Sequence, residues 1–238
     1  MAEHFAHKHA TRDVRVPIIS FTFDDFPRSA LTVGGGMLSA HGKRGTFYGS
    51  MGLIGQTSND AGPMLSRADL DDLLANGHEL ACHTYSHSSC LEVETADYVQ
   101  ECARNRQQAS AMLGGYRMRN LSFPYGHVTL AAKRVLQRDY DTCRSTEPGI
   151  NVDPIDLSLL RANPLYSRLE IASVKQLIEE NVRSQGWLIL YTHDLALNPS
   201  AYGCTPQYFE AVLRFALASG AEIRTVRDAT AQYVTSAC

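Results

Sequence analysis

Residues able to ligate a cation or move a proton gather in a few short segments of the chain. The first is Ser-Phe-Thr-Phe-Asp-Asp-Phe-Pro, residues 20–27, where a short apolar run ends in two adjacent carboxylates. Neighbouring like charges raise each other's cost of ionisation. Asp24 and Asp25 therefore read either as a solvated turn before proline, or as a pair in which one carboxylate holds a cation and the other stays charged beside it as a base. The second segment is His-Thr-Tyr-Ser-His, residues 83–87. Its two histidines, His83 and His87, have the spacing that brings imidazoles together on a helical turn. Such a pair on a solvated turn is at least as common as a metal site, so the weight rests on whether it converges with Asp24 and Asp25. Two neutral imidazoles and one carboxylate leave open positions on a divalent ion, the arrangement of a hydrolytic site.

His193 closes the run Trp-Leu-Ile-Leu-Tyr-Thr-His. A histidine at the end of so apolar a strand is either satisfied by backbone carbonyls, with Asp194 capping the next turn, or serves as a general acid. Expelling an amine from an amide requires such a donor. Phe-Pro-Tyr-Gly, residues 123–126, is an ordinary turn sequence. A tight loop there aims the Tyr125 amide at an oxyanion.

These segments meet only if the elements between them bring their ends to one face. Apolar or β-branched runs over 16–24, 45–50, 78–83, 119–123, 139–144, 187–192 and 221–226 alternate with helical patterns, the signature of a parallel sheet wrapped by helices. Ser66 with Asp69 reads as a capping box ahead of Leu70, Leu73 and Leu74, with Gly77 as the stop. Thr205 and Pro206 read as the start of a helix carrying Phe209, Val212, Leu213 and Leu217, ended by Gly220. Tyr98, Val99, Cys102, Met112 and Leu113 form a comparable core-facing stripe, and Trp187, the sole tryptophan, reads as core. Each chemical segment follows a predicted strand, and the carboxyl ends of strands in a parallel barrel share one face.

The 238 residues suffice for one core of barrel size. No repeat or Pro/Gly/Ser-rich linker divides them, so a single domain over 1–238 is expected, with 1–14 an irregular tail carrying His4, His7 and His9. A net charge of -3 without long Lys/Arg runs argues against nucleic acid or an anionic membrane as partner. No apolar run approaches the roughly 18 residues of a membrane helix, and the first residues lack a signal peptide's apolar core, so a cytoplasmic location is expected. Cys82, Cys90, Cys102, Cys143, Cys204 and Cys238 show no CxxC spacing and read as reduced packing residues.

Taken together, the ordered motifs from Ser-Phe-Thr-Phe-Asp-Asp-Phe-Pro to Ala-Glu-Ile-Arg-Thr-Val-Arg-Asp resemble the polysaccharide deacetylase family with its NodB homology domain. The resemblance implies a distorted, incomplete (β/α) barrel of about seven parallel strands and a metal-dependent hydrolase that removes acetyl groups from sugars. Thr-Phe-Asp-Asp is similar to the family's first motif, implying Asp24 as base and Asp25 as ligand, and His83 and His87 would complete the metal triad. The cation implied is Zn²⁺, with Co²⁺ or Ni²⁺ as alternatives. Tyr-Thr-His-Asp resembles the last motif, which makes His193 the general acid. The third motif keeps Pro124, Tyr125 and Gly126 but has Ser122 where an arginine is expected. Arg144, after the fifth predicted strand, is the candidate to reach Asp24 instead, against the alternative of a surface pair with Glu147. The fourth motif, whose carboxylate partners the histidine, is half visible: Asp153 or Asp156, without the tryptophan. The expected substrate is an acetylated amino sugar or oligosaccharide. Formamido sugars, acetyl esters and cyclic amides are the alternatives on the same scaffold, and a sugar-binding protein without catalysis is the alternative of another class.

Overall fold

The run Ile-Ile-Ser-Phe-Thr-Phe consists of β-formers except for Ser20 and is buried at every position, so it becomes a central strand, β1, Ile18–Phe23. The computed structural model describes residues 7–13 and 15–235. The other strands of the main sheet are β2 (Thr46–Gly49), β3 (Glu79–Cys82), β4 (Asn120–Ser122), β5 (Thr142–Arg144), β6 (Asn163–Pro164), β7 (Trp187–Thr192) and β8 (Glu222–Ile223). Every pairing in it is parallel, in the order β6-β7-β1-β2-β3-β4-β5. β8 lies beside the first half of β1, opposite Ile18 and Ile19, while β2 pairs further along, opposite Thr22 and Phe23. The sheet curls into an incomplete (β/α) barrel. All seven predicted strands are present. β6 is the addition, a two-residue strand too short to give a periodic signal.

Alternation along the strands sorts side chains into two clusters. Ile19, Phe21, Phe23, Leu188 and Leu190 pack outward under the helices, while Ile18, Tyr48, Ala81, Trp187, Ile189 and Tyr191 fill the other face. Trp187 is wholly buried and its indole N–H donates to Ser20 Oγ at 2.9 Å, so it is core, as expected. The helix Arg67–Ala75 begins with the capping box of Ser66 and Asp69, and Pro206–Ala218 with Thr205 as N-cap.

The amino ends of the strands are closed by polar pairs. Glu79 accepts hydrogen bonds from Thr46 Oγ1 (2.9 Å), Asn120 Nδ2 (2.5 Å) and the Arg227 N–H (2.8 Å), and Thr142 Oγ1 donates to Asn120 Oδ1 at 2.8 Å. Burial raises the Glu79 carboxyl above its ordinary range despite these donors.

The expected irregular tail is corrected in part. His9–Thr11 forms a strand between Ile155–Asp156 and Val234–Thr235, and His7 and His9 stack at 4.8 Å. Period and composition gave three residues no strand signal of their own; their partners come from distant parts of the chain. His4 lies outside the described residues. Cys82, Cys90, Cys102, Cys143 and Cys204 are buried free thiols, and Cys238 lies outside the described residues. Among the described residues no helix is long and apolar enough to cross a membrane.

Candidate metal centre and catalytic cleft

The carboxyl ends of β1, β3, β4, β5 and β7 surround a cleft of about 280 Å³ lined by Asp24, Asp25, His83, His87, Tyr125 and His193, with Phe123, Thr146, Tyr166, Tyr191 and Tyr202 completing its wall. Asp25 is the centre of this arrangement. Its Oδ1 lies 3.0 Å from His87 Nε2 and 3.3 Å from His83 Nε2, and its Oδ2 lies 3.4 Å from His193 Nε2. The ligand atoms of Asp25, His83 and His87 all fall within 4.8 Å of one another.

Backbone strain makes this convergence. The two histidines do not share a helical turn, contrary to the expectation from their spacing: residues 83–87 form an irregular loop after β3. The loop is folded back by left-handed conformations at Thr84 (φ 61°) and His87 (φ 59°). Asp25 (φ 64°), Phe26 (φ 75°) and Tyr125 (φ 60°) share that conformation, which costs a residue with a Cβ about 1–2 kcal/mol. Non-glycine residues of this kind cluster where geometry outweighs local stability. Spacing alone carries no sign of it.

His83 is buried, and its Nδ1 donates to the Ser122 carbonyl at 2.8 Å. That bond fixes the tautomer and leaves Nε2 with a lone pair toward Asp25. Burial alone would raise the Asp25 carboxyl; its contacts with His83 and His87 and the charge of His193 hold it well below the usual range. Burial lowers His87, and its contact with Asp25 more than offsets this. Asp25 Oδ1 is buried, yet no donor meets it with hydrogen-bond geometry. An orphaned carboxylate oxygen facing two imidazole nitrogens fits a divalent cation, with Asp25, His83 and His87 as the ligands.

Asp24 points elsewhere. It is 3% exposed, and Arg144, wholly buried, places one nitrogen, Nη2, 2.6 Å from both carboxylate oxygens. The same Nη2 donates to Ser122 Oγ at 2.6 Å, and Nη1 donates to the Ser145 carbonyl at 3.1 Å. The guanidinium lies over the rings of Tyr48 (4.8 Å) and Tyr191 (5.1 Å). Burial disfavours its charge, but Asp24 beside it raises its pKa above the ordinary value. Ser122 is therefore small enough to admit an arginine from the next strand, and serves both sides: carbonyl to His83, hydroxyl to Arg144. Glu147 pairs with Arg161 instead, at 3.7 Å.

Pro124, Tyr125 and Gly126 form a tight turn closed by Gly126 N–H to Phe123 O (2.9 Å) and His127 N–H to Pro124 O (3.1 Å). The Tyr125 ring is 58% exposed and packs edge-on against His87 at 4.6 Å. Asp156 is corrected: it does not contact His193. Its carboxylate takes Lys133 Nζ (2.7 Å), Ser158 Oγ (2.5 Å) and His7 Nδ1 (3.0 Å), which together with its other donors hold its pKa well below the ordinary range against the effect of burial. Asp153 sits between Arg12 and Arg15. The partner of His193 is a backbone group, the Tyr202 carbonyl, 3.0 Å from Nδ1. Tyr48, Tyr166 and Tyr202 carried no motif in the sequence; Tyr191 was visible only as the first residue of the Tyr-Thr-His-Asp motif.

The curled parallel sheet and the cluster at its carboxyl ends place the chain in the class of incomplete (β/α) barrels. Within that class it belongs to the polysaccharide deacetylase family, whose sequence profile matches residues 11–140, more than half of the 238. No curated protein matches the chain. Among solved structures it is similar to the Xyl-CE4 domain of a multidomain xylanase from the hindgut metagenome of Trinervitermes trinervoides, with a TM-score of 0.60 and 20% identity over 90% of this chain and 89% of that one. A family 4 acetyl xylan esterase from Clostridium thermocellum, in complex with a cobalt ion, gives 0.59 and 20% over 89% of each chain. A CE4 family pseudoenzyme from Bacillus anthracis gives 0.63 and 9% over 96% of this chain and 70% of that one. At these identities the likeness is one of fold.

Proposed function

We propose that the cleft hydrolyses the N-acetyl group of an acetylated amino sugar, free or within an oligo- or polysaccharide, with a divalent cation at Asp25, His83 and His87. The observation that carries this reading is the company Asp24 keeps: a buried carboxylate, charge-balanced by Arg144, next to a three-ligand cluster and His193 in one cleft. When bound, the cation supplies a Lewis acid that lowers the pKa of water and polarises a carbonyl, with Zn²⁺ best suited to two imidazoles and a carboxylate and Co²⁺ or Ni²⁺ as alternatives.

The residues of the chain divide the remaining work. Asp24 takes the proton of the attacking water, and Arg144 fixes the direction of its carboxylate. The Tyr125 N–H, presented by the left-handed turn, donates to the acyl oxygen as that oxygen gains charge. His193 Nδ1 is committed to the Tyr202 carbonyl, so once Nε2 takes up a second proton, the imidazolium hands that proton from Nε2 to the departing amine and returns to the neutral Nδ1–H form.

The test is metal content of the purified protein together with product release from N-acetylated, N-formylated and O-acetylated sugars and a cyclic amide. Stoichiometric metal and acetate release from the N-acetylated sugars support the reading. Sugar binding with no release from any of them would leave a binding protein, and full metal content in a folded Asp25→Ala, His83→Ala variant would remove the ligand assignment.

A further inference from the structure

No carboxylate stands behind His193; a backbone carbonyl does, and the loop from Leu195 to Cys204 holds it there. The ends of the loop are tied by a bridge between Leu195 and Cys204 and by the Cys204 N–H donating to the Asp194 carbonyl at 3.0 Å. Its middle is drawn inward by the Asp194 side chain, which is buried. Oδ2 accepts the Ser200 N–H at 2.9 Å and Oδ1 accepts the Ser200 hydroxyl at 2.5 Å. Gly203 passes so close that a Cβ there would lie 2.4 Å from Asp194 Oδ1, so only glycine lets the chain turn over the carboxylate. Tyr202, between Ser200 and this close approach, has its carbonyl 3.0 Å from His193 Nδ1 and 3.2 Å from the His193 N–H.

The side chain of Tyr202 faces a different task. It is 56% exposed and lines the cleft, 5.6 Å from the His193 ring and 5.9 Å from the Tyr166 ring. A half-exposed aromatic face beside the proton donor is where the sugar bearing the leaving nitrogen must pass, and the C–H face of a pyranose buries apolar area against such a ring.

We propose that this loop is one element with two effects: Asp194 is a positioning residue that acts through the Tyr202 carbonyl to keep His193 protonated on Nδ1 with Nε2 toward the cleft, and the Tyr202 ring is the specificity-determining wall for the sugar. The substrate half rests on the deacetylase reading above, whereas the Asp194 half rests on the hydrogen bonds alone. An imidazole whose Nδ1–H has a fixed acceptor spends less time in the wrong tautomer or rotated away. A residue contacting the acid only through another residue's backbone thereby controls its availability.

The experiment uses Asp194→Asn, Ser200→Ala, Tyr202→Ala and Tyr202→Phe in the full chain, with metal content and melting temperature recorded for each. Asp194→Asn is expected to lower kcat about tenfold with KM and metal unchanged, Ser200→Ala about two- to threefold. Long-range ¹H–¹⁵N NMR of the imidazoles should show neutral His193 moving from a single Nδ1–H tautomer in wild type to a mixture in Asp194→Asn. Tyr202→Ala keeps the carbonyl, so it should preserve kcat and tautomer while raising KM about five- to tenfold, and Tyr202→Phe, which keeps the ring face, should raise KM by less than Tyr202→Ala. An unchanged tautomer in Asp194→Asn overturns the positioning role, whatever happens to activity or melting temperature. Loss of kcat rather than KM in Tyr202→Ala overturns the division of labour. If wild type releases no acetate, the deacetylase reading fails separately: the tautomer still decides Asp194, and the affinity of Tyr202→Ala for an N-acetylated oligosaccharide, titrated directly, decides Tyr202.

Discussion

The two ends of the barrel each bury a carboxylate and solve the problem differently. At the carboxyl end Asp24 meets a full positive charge, Arg144, at 2.6 Å. At the amino end Glu79 meets only neutral donors from Thr46, Asn120 and the Arg227 backbone, and its carboxyl is pushed up. Backbone conformation follows the same division with one exception, Gln185. Left-handed positions before the strands include Gly77 (φ 76°) and Gly220 (φ 83°), where the conformation is free of cost, whereas Asp25, His87 and Tyr125 adopt it with their side chains in place. The amino end is arranged for stability, and the carboxyl end spends stability on a buried Asp24–Arg144 pair and on convergent side chains.

The largest effects should come from the carboxyl end and appear in rate. Asp24→Asn is nearly isosteric and removes only the proposed proton acceptor, so turnover should fall by about 10²–10⁴ with metal content retained. A variant that keeps its rate would move the base elsewhere and dissolve the contrast. Arg144→Ala leaves Asp24 buried without its counter-charge, which should cost about 3–5 kcal/mol of stability as well as activity. Arg144→Lys sharpens the point, because a single nitrogen serves both oxygens of Asp24. Lysine can restore that contact but not the bond to Ser145 or the stacking on Tyr48 and Tyr191, so its melting temperature and rate should fall between alanine and wild type. Equality of lysine and alanine would assign the effect to the planar guanidinium.

Effects at the amino end should be smaller and confined to stability. Glu79→Ala orphans buried donors and should cost about 1–3 kcal/mol with kcat unchanged. The pH dependence has a definite sign. Because the folded-state pKa of Glu79 is raised, its stabilising contribution is complete below the unfolded value of about 4.3 and is lost as pH rises through the folded value. Melting curves of wild type and Glu79→Gln across that range should show the wild-type advantage shrinking toward neutral pH. An advantage that grows with pH would mean that Glu79 is held ionised and that the two ends are alike.

The contrast also explains what could be read from the sequence. Strands announced themselves because apolar β-branched runs are hard to place elsewhere, and caps such as Ser66 and Thr205 mark helix starts by side-chain chemistry. Asp24, Asp25, His83, His87 and His193 were visible because each follows a strand. The means of holding them were hidden. The Ser122 and Tyr202 carbonyls that fix His83 and His193 are backbone atoms, which every residue carries. The left-handed turn at His87 has no glycine to reveal it. Asp156 was misassigned for a related reason: its nearest motif suggested a role, while Lys133 and His7, both remote in sequence, claimed its carboxylate. Arg144 could be suggested from strand position, but that Ser122 admits it needs coordinates.

The smallest predicted effect tests the strain directly by making the same change at both ends. Gln185 (φ 52°) caps the helix Ile171–Ser184 just before β7, at the amino end, and its carbonyl accepts Arg12 Nη2 at 2.7 Å, a bond that glycine keeps. Gln185→Gly should therefore gain about 0.5–1 kcal/mol without touching kcat. Tyr125 (φ 60°) is exposed, so Tyr125→Gly loses no core packing and should gain a similar amount. It also removes the ring beside His87 and loosens the turn that aims the Tyr125 amide, so turnover should drop about tenfold. Melting temperature and kcat of the two variants then separate the ends: both rise in stability, and only one loses rate. If Tyr125→Gly keeps wild-type turnover, the left-handed turn is an accident of the loop rather than a feature of the site. If Gln185→Gly loses turnover, strain at the amino end reaches the cleft and the division between the two ends is wrong.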